Sequence, residues 1–375
     1  MLLVVYSILQ GLFTGLAIGA YMVYALVTGA LSPEMLMDYE ALAASPSMEA
    51  AMINAIAWGF FLSAVAMLIF IHVTKLFSLR IFFKITGIVL MLLVVYSILQ
   101  GLFTGLAIGA YMVYALVTGA LSPEMLMDYE ALVSSPAMSG PMIHAMAWGL
   151  FLSAATMLLF IHVTKLFRLR VSLFNSIAPM PLLWSTLLVL TSIFALNIFV
   201  QWFPLENILE NEFQGLSHNV IGAFTIAVLA PVLEEVMFRG AIQGYIMRKV
   251  RSPWVAIVVA SLIFGVFHMN PVQIVYATLL GVILGWIYYR TGSLMSVIVG
   301  HVLNNTIATV TELALGAEAE VELLPDMSQG ATIAAEAGTF VLFAALSLLF
   351  AYKLNKSLPA VPSPWHESDE VLECQ

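Results

Sequence analysis

Long apolar stretches occupy most of this 375-residue chain and constrain its fold more than any other feature. A helix of about 20 apolar residues spans the hydrocarbon core of a bilayer, and about ten segments approach or exceed that length. They lie near residues 3–30, 52–74, 86–119, 142–164, 178–201, 217–246, 253–268, 272–289, 293–311 and 333–352. Charged residues make up only 9% of the chain, whereas about a quarter is usual in a water-soluble domain. We therefore predict an all-α polytopic membrane protein with about ten transmembrane helices.

The charge balance and the cysteine count exclude several function classes. Thirteen Lys and Arg against 22 Asp and Glu give a net charge of −9, so the basic field that a nucleic acid requires is missing. The single cysteine, Cys374, cannot form a disulfide framework or a thiolate metal cluster. No aspartate lies within a predicted helix, which excludes a pair of catalytic aspartates in the membrane. No GxSxG or HExxH motif is present either, so a serine nucleophile elbow and the HExxH zinc pattern are also missing.

The front half of the chain is duplicated. Residues 1–42 are identical to residues 91–132, and the likeness continues with scattered substitutions to Arg80 and Arg170. Such near-identity indicates a recent tandem duplication, so we expect the first copy to be dispensable. The predicted organisation is a duplicated transmembrane hairpin (1–90), its second copy (91–174), a helical core (175–355) and a polar cytoplasmic tail (356–375).

Basic residues are concentrated in alternate short loops, whereas the intervening loops are acidic. The basic residues of these loops are Lys75, Arg80, Lys84, Lys165, Arg168, Arg170, Arg248, Lys249, Arg251, Arg290, Lys353 and Lys356. Because short loops rich in Lys and Arg stay in the cytoplasm, both termini are predicted to be cytoplasmic. The acidic chain and the absence of an organelle signal fit a bacterial inner membrane.

Ionisable residues inside predicted helices are functional candidates, because a charge near the bilayer centre costs at least about 2.5 kcal/mol. The first group is in the stretch PVLEEVMFRG. Glu235 and Arg239 are four residues apart, so they share one helix face and are predicted to pair. Glu234 points about 100° away and is left available.

Two further polar groups follow, each a pair of residues four apart. Phe264 and His268 are in FGVFHMN, and His301 and Asn305 are in GHVLNNT. At about 1.5 Å per residue from the basic helix ends, Glu234 and these polar side chains lie about 12–22 Å deep. We therefore expect them to meet near the midplane. The alternatives are a structural polar knot or a cytoplasmic loop for the first group, a satisfied core or interface residue for His268, and an interhelical hydrogen-bonding pair for His301 and Asn305.

Such a cluster has the parts needed to hydrolyse an amide. Water held between Glu234 and His268 would be the nucleophile, and His301 and Asn305 could donate hydrogen bonds to the developing oxyanion. A zinc site remains an alternative, with Glu234, His268 and His301 as one carboxylate and two imidazole ligands.

The three motifs together resemble those of one known family. EEVMFRG resembles EExxxR, FGVFH resembles FxxxH, and HVLNN resembles HxxxN, in the order typical of the CPBP intramembrane proteases. This family includes CAAX prenyl proteases and bacteriocin-processing enzymes, and is also called the Abi family. The resemblance covers about residues 175–312 and implies that this part is the family's helical protease core.

The resemblance also implies roles and partners. Glu234 corresponds to the residue that activates water, His268 to the one that positions it, and His301 and Asn305 to the oxyanion-stabilising pair. The supporting positions correspond to Glu235, Arg239 and Phe264. The implied reaction cleaves a membrane-associated or lipidated peptide in contact with membrane lipid; no cofactor is favoured and zinc is the alternative. A non-catalytic scaffold or bacteriocin-immunity protein that retains the fold is the competing interpretation.

Overall fold

The computed structural model describes residues 79–122, 136–164, 178–250, 252–316 and 329–358. The chain divides into two compact units, Met1–Lys84 and Ile85–Gln375. The predicted helices near residues 3–30 and 52–74, and the tail that carries Cys374, lie outside the described residues.

Within the described ranges, all regular structure is helical. The helices are α1 (Leu79–Thr118), α2 (Pro136–Thr164), α3 (Pro179–Gln201), α4 (Glu210–Ser217), α5 (Val220–Lys249), α6 (Pro253–Phe267), α7 (Pro271–Thr291), α8 (Leu294–Leu315) and α9 (Gln329–Ser357). Seven of them, all but α4 and α6, are long and apolar enough to cross a membrane. The protein is thus an all-α polytopic membrane protein, as the hydropathy predicts. At 15 residues, or about 22 Å, α6 is shorter than the roughly 30 Å hydrocarbon core.

Helix α3 is central to the second unit, because it packs against α7, α8 and α9. Its contact with α9 includes a small polar ladder: Ser192 Oγ donates to Ser347 Oγ at 3.2 Å, and Ser347 Oγ lies 2.9 Å from Thr191 Oγ1. Contact with α8 is close at Gly300, where an added Cβ would lie 2.8 Å from a methyl of Val189. Hydroxyl contacts and small residues of this kind allow helices to associate where both are already apolar.

Helices α6 and α7 form a tight antiparallel pair. A Cβ added at Gly265 would collide with Thr278 Oγ1, so the two backbones can approach this closely only because that position is a glycine. The chain reverses within three residues, and Met269 takes a left-handed conformation with φ 53°. Asn270 anchors the turn by donating to Asn207 Oδ1 at 2.8 Å. This turn fixes His268 at the end of α6.

Helix α1 is mostly exposed and crosses α2 at one close point. A Cβ added at Gly149 would collide with Thr104, whereas one added at Gly101, Gly105 or Gly109 would meet no atom within 4 Å. Beyond this crossing, Ala115 and Leu121 form a small buried cluster.

Candidate active site

Two stretches of π-helix, Thr225–Leu229 and Glu235–Gln243, interrupt α5. In the first stretch the N–H of Ala230 bonds to the carbonyl five residues earlier. The next bond in that register would need an N–H at Pro231, which has none, so the Ile226 carbonyl loses its helical partner. Asn305 Nδ2 donates to that carbonyl at 2.8 Å. The proline thus creates the acceptor that docks α8 onto α5.

All nine residues of the second π-helical stretch are buried, including both members of the predicted ion pair. Arg239 Nη1 donates to Glu235 Oε1 at 2.9 Å, and these side chains are 1% and 0% exposed. The guanidinium also lies 4.4 Å from the centre of the Phe264 ring, and its Nη2 reaches the Gly281 carbonyl at 3.4 Å. The Glu235–Arg239 pairing predicted from the four-residue spacing is confirmed.

His301 joins the two neighbouring glutamates. Its Nδ1 lies 2.7 Å from Glu235 Oε1, and its Nε2 lies 3.6 Å from Glu234 Oε2. Since a carboxylate accepts, the short contact assigns a proton to Nδ1 and directs Nε2 toward Glu234. Two carboxylates therefore face the Arg239 guanidinium and one imidazole, and the four formal charges cancel when His301 carries its second proton.

The Phe264 ring lies between the histidines of the second and third motifs and contacts both. The rings of His268 and His301 both meet the Phe264 ring edge-on, at centroid distances of 4.9 and 5.6 Å. His268 Nδ1 lies 2.9 Å from the Phe264 carbonyl, which can only accept, so Nδ1 carries a proton and Nε2 faces away from this bond. The three motifs, from α5, α6 and α8, therefore converge on one ring.

The predicted site residues are not all in direct contact. Among the described residues, no hydrogen bond joins Glu234 to His268 or to Asn305; Glu234 Oε2 and Glu235 Oε2 are buried without a hydrogen-bond partner. His301 Nε2 lies 3.6 Å from Glu234 Oε2, beyond hydrogen-bond distance. One carboxylate oxygen of each glutamate thus remains able to accept a hydrogen bond.

A chain of amides that sequence reasoning missed supports Asn305. Tyr276 on α7 donates to Asn304 Oδ1 at 2.6 Å, and Asn304 Nδ2 donates to Asn305 Oδ1 at 2.9 Å. The doublet Asn304–Asn305 in an apolar helix was the available signal, since only one of the two belongs to the HxxxN pattern.

Tyr96 of α1 also lies at this site and was missed. Its ring packs against Phe267 at 6.2 Å, and its phenol is close to the Ser153 hydroxyl and within electrostatic range of Glu234. No motif includes Tyr96; the only signal in the sequence is a phenol in a long apolar helix.

The three residues considered as zinc ligands are not gathered around one point in this arrangement. Within the part of the chain that the structure describes, no three His, Cys, Asp or Glu side chains are grouped so that they could hold an ion. His301 and His268 each use Nδ1 in another hydrogen bond, as metal-bound imidazoles also do, so these bonds leave Nε2 of both rings available.

The segment that contains α5 to α8 is similar to known proteins. The family model of the type II CAAX prenyl endopeptidases, Rce1-like, matches residues 216–307, which include all three motifs. "Putative membrane peptidase YdiL" of Bacillus subtilis strain 168 is 29% identical over 87 residues, which are 23% of this chain and 35% of that relative. The match therefore spans about a third of that relative's length, and no solved structure matches the chain. Over residues 216–307, the segment that carries its three motifs, the chain is similar to the Rce1-like type II CAAX prenyl endopeptidases.

Proposed function

We propose that this protein is an intramembrane endopeptidase of the glutamate type. The observation that carries the proposal is the position of Glu234: its Oε2 is buried, has no hydrogen-bond partner among the described residues, and lies 3.6 Å from His301 Nε2. A carboxylate held beside a proton donor, inside helices that match a protease family, is suited to activate water for hydrolysis.

In the proposed reaction Glu234 takes a proton from a water molecule, and the free Nε2 of His268 accepts the other hydrogen and orients the oxygen. The oxygen attacks the carbonyl carbon of the substrate. Its negative charge moves to the carbonyl oxygen, which accepts hydrogen bonds from doubly protonated His301 and from the second N–H of Asn305. The C–N bond then breaks as Glu234 returns its proton to the amine that leaves.

Glu235 and Arg239 act in this proposal as positioning residues. Arg239 neutralises Glu235, and Glu235 holds Nδ1 of His301, so that Nε2 faces the reaction. Their complete burial supports this role, because an ion pair shielded from water keeps a single geometry.

For the substrate we propose a membrane-associated or lipidated peptide, cleaved near the bilayer midplane. The family match and the depth of the site within apolar helices support this class. We place the protein in the cytoplasmic membrane of a bacterium with both termini inside; the segregated basic loops and the Bacillus relative support that assignment.

The test is cleavage by the purified full chain in detergent, with farnesylated CaaX peptides and leader-type peptides, each with and without a zinc chelator. We expect one peptide class to be cut at the same rate in both conditions. Loss of cleavage on chelation, restored by zinc, would replace the glutamate mechanism with the metal alternative. No cleavage of either class by well-folded protein would favour the non-catalytic scaffold.

Replacing His301 with alanine is expected to lower kcat by about 10²–10⁴-fold, because the change removes both the contact with Glu235 and the donor beside Glu234. A matched control is His144→Asn on α2, which introduces the residue that the first copy carries at Asn54. The control is expected to keep kcat within twofold. Equal losses in both variants, measured as turnover of the cleaved peptide, would contradict a specific role for His301.

Deleting residues 1–90 is expected to leave an inserted and active protein. The remainder of α1, residues 91–118, is about 42 Å long and can still span the bilayer. Every residue assigned a catalytic role lies after position 90. The measurement is membrane abundance and peptide turnover of the deletion beside the full chain; a stably inserted but inactive deletion would refute the redundancy of the first copy.

A further inference from the structure

A cleft opens between α1 and α2. It has a volume of about 350 Å³ and is lined by Ser97, Gln100, Gly101, Thr104, Met146 and Leu150. This volume lies within the range of small ligand sites. Ser97 and Gly101 are exposed, so the cleft is open at the surface of α1.

Three polar side chains of α1, those of Ser97, Gln100 and Thr104, form the floor of the cleft, although the helix around them is apolar. Mean hydropathy reaches 2.2 in the span that contains Ser97, Gln100 and Thr104. Other hydroxyls of these two helices donate to carbonyls of their own helix, as Thr118 of α1 and Thr164 of α2 do. No such bond joins the three floor side chains to any residue that the structure describes. Because an unmatched polar group in apolar surroundings costs free energy, these side chains indicate a polar partner.

Tyr96 connects the cleft to the glutamates. It lies one turn before Gln100 on the same face of α1. Its ring contacts Phe267, the neighbour of His268, and its phenol is within electrostatic range of Glu234. A chain lying in the cleft would therefore pass Tyr96 on its way to the proposed reaction centre.

We propose that the α1–α2 cleft is a substrate subsite that binds the extended backbone of the peptide on one side of the bond to be cut; this rests on the proposed protease function. A peptide bond can be hydrolysed only after its helix unwinds, which exposes N–H and C=O groups that lipid cannot satisfy. The hydroxyls of Ser97 and Thr104 and the amide of Gln100 can donate to and accept from such groups. An isoprenoid chain has no donor or acceptor that could form hydrogen bonds with these side chains.

The length of the cleft sets the length of the bound segment. Thr104, at the far end of the cleft, is eight positions after Tyr96, which is about 12 Å along the helix. An extended peptide covers about 3.3 Å per residue, so the subsite holds about four residues. We therefore expect that removing about four residues from one end of the peptide abolishes the contribution of the subsite to binding. Removing the same number from the other end should leave that contribution unchanged.

Filling the cleft tests this assignment. A Cβ on Gly101 meets nothing within 4 Å, so Gly101→Leu places its side chain in the cleft without displacing a neighbour. Gly105→Leu is the control, because Gly105 is equally open but does not line the cleft. With a farnesylated CaaX peptide and a leader-type peptide, Gly101→Leu is expected to raise KM at least tenfold with kcat within twofold. Gly105→Leu should have the KM of wild type. On the peptide shortened at the subsite end, Gly101→Leu and wild type should have the same KM, because that peptide no longer reaches the subsite. An unchanged KM in Gly101→Leu would overturn the subsite.

A second measurement does not depend on cleavage. Cys374 is the single cysteine, so a Cys374→Ser background allows one new thiol at Gln100→Cys or, as control, at Gly109→Cys. With Glu234→Gln also present, the same peptides should slow labelling by a methanethiosulfonate reagent at least fivefold at Gln100→Cys and leave the control unchanged. If the peptides protect the thiol at Gln100→Cys but the parent protein cleaves none of them, the subsite assignment is retained and the protease function is rejected. If the peptides do not protect the thiol at Gln100→Cys, the subsite assignment is rejected.

Discussion

Replacing Arg239 with alanine is expected to destabilise the protein by about 3–5 kcal/mol, because it leaves the Glu235 carboxylate buried without its cation. Arg239 is 1% exposed and Glu235 is 0% exposed, so water cannot replace the lost partner. The change also removes the guanidinium above the Phe264 ring, the ring that carries both site histidines. We expect membrane abundance and thermal stability in detergent to fall together with peptide turnover.

Two further variants separate the ion pair from simple loss of volume. Arg239→Lys keeps the charge, but a single ammonium cannot reproduce the fork that reaches both Glu235 and the Gly281 carbonyl, so recovery should be partial. Arg239→Met with Glu235→Gln removes both charges and should restore more stability than activity, since His301 then loses its anionic acceptor. Wild-type abundance of Arg239→Ala would contradict the account of the pair.

Local spacing predicted the parts of the site that lie on one helix. Glu235 and Arg239 pair because side chains four apart on a helix are neighbours. This contact could be predicted without knowing how the helix packs against others. The same holds for the spans themselves, because length and hydropathy decide whether a helix crosses a membrane. The second and third motifs meet in the structure, because the rings of His268 and His301 both pack on the Phe264 ring.

Contacts between helices could not be predicted in this way. The bond between His301 and Glu235 depends on how α8 packs against the π-helical part of α5, and no spacing rule describes that packing. The use of Asn305 to satisfy Ile226 follows from Pro231 only once the π register is known. Tyr96 was missed because it belongs to a helix outside the matched segment.

The single measurement that tests the central claim most directly is the turnover of one peptide by purified Glu234→Gln beside wild type. Glutamine keeps the size and hydrogen-bonding capacity of the side chain but cannot take a proton from water, so kcat is expected to fall by at least about 10³-fold with unchanged abundance. Glu312→Gln is the matched control: Glu312 is also a carboxylate within a span and only 8% exposed, and no role is assigned to it.

The account predicts an inactive, well-folded Glu234→Gln protein and a Glu312→Gln protein within twofold of wild type. Glu234→Gln turnover above a tenth of the wild-type value would contradict the assignment of Glu234 as the base.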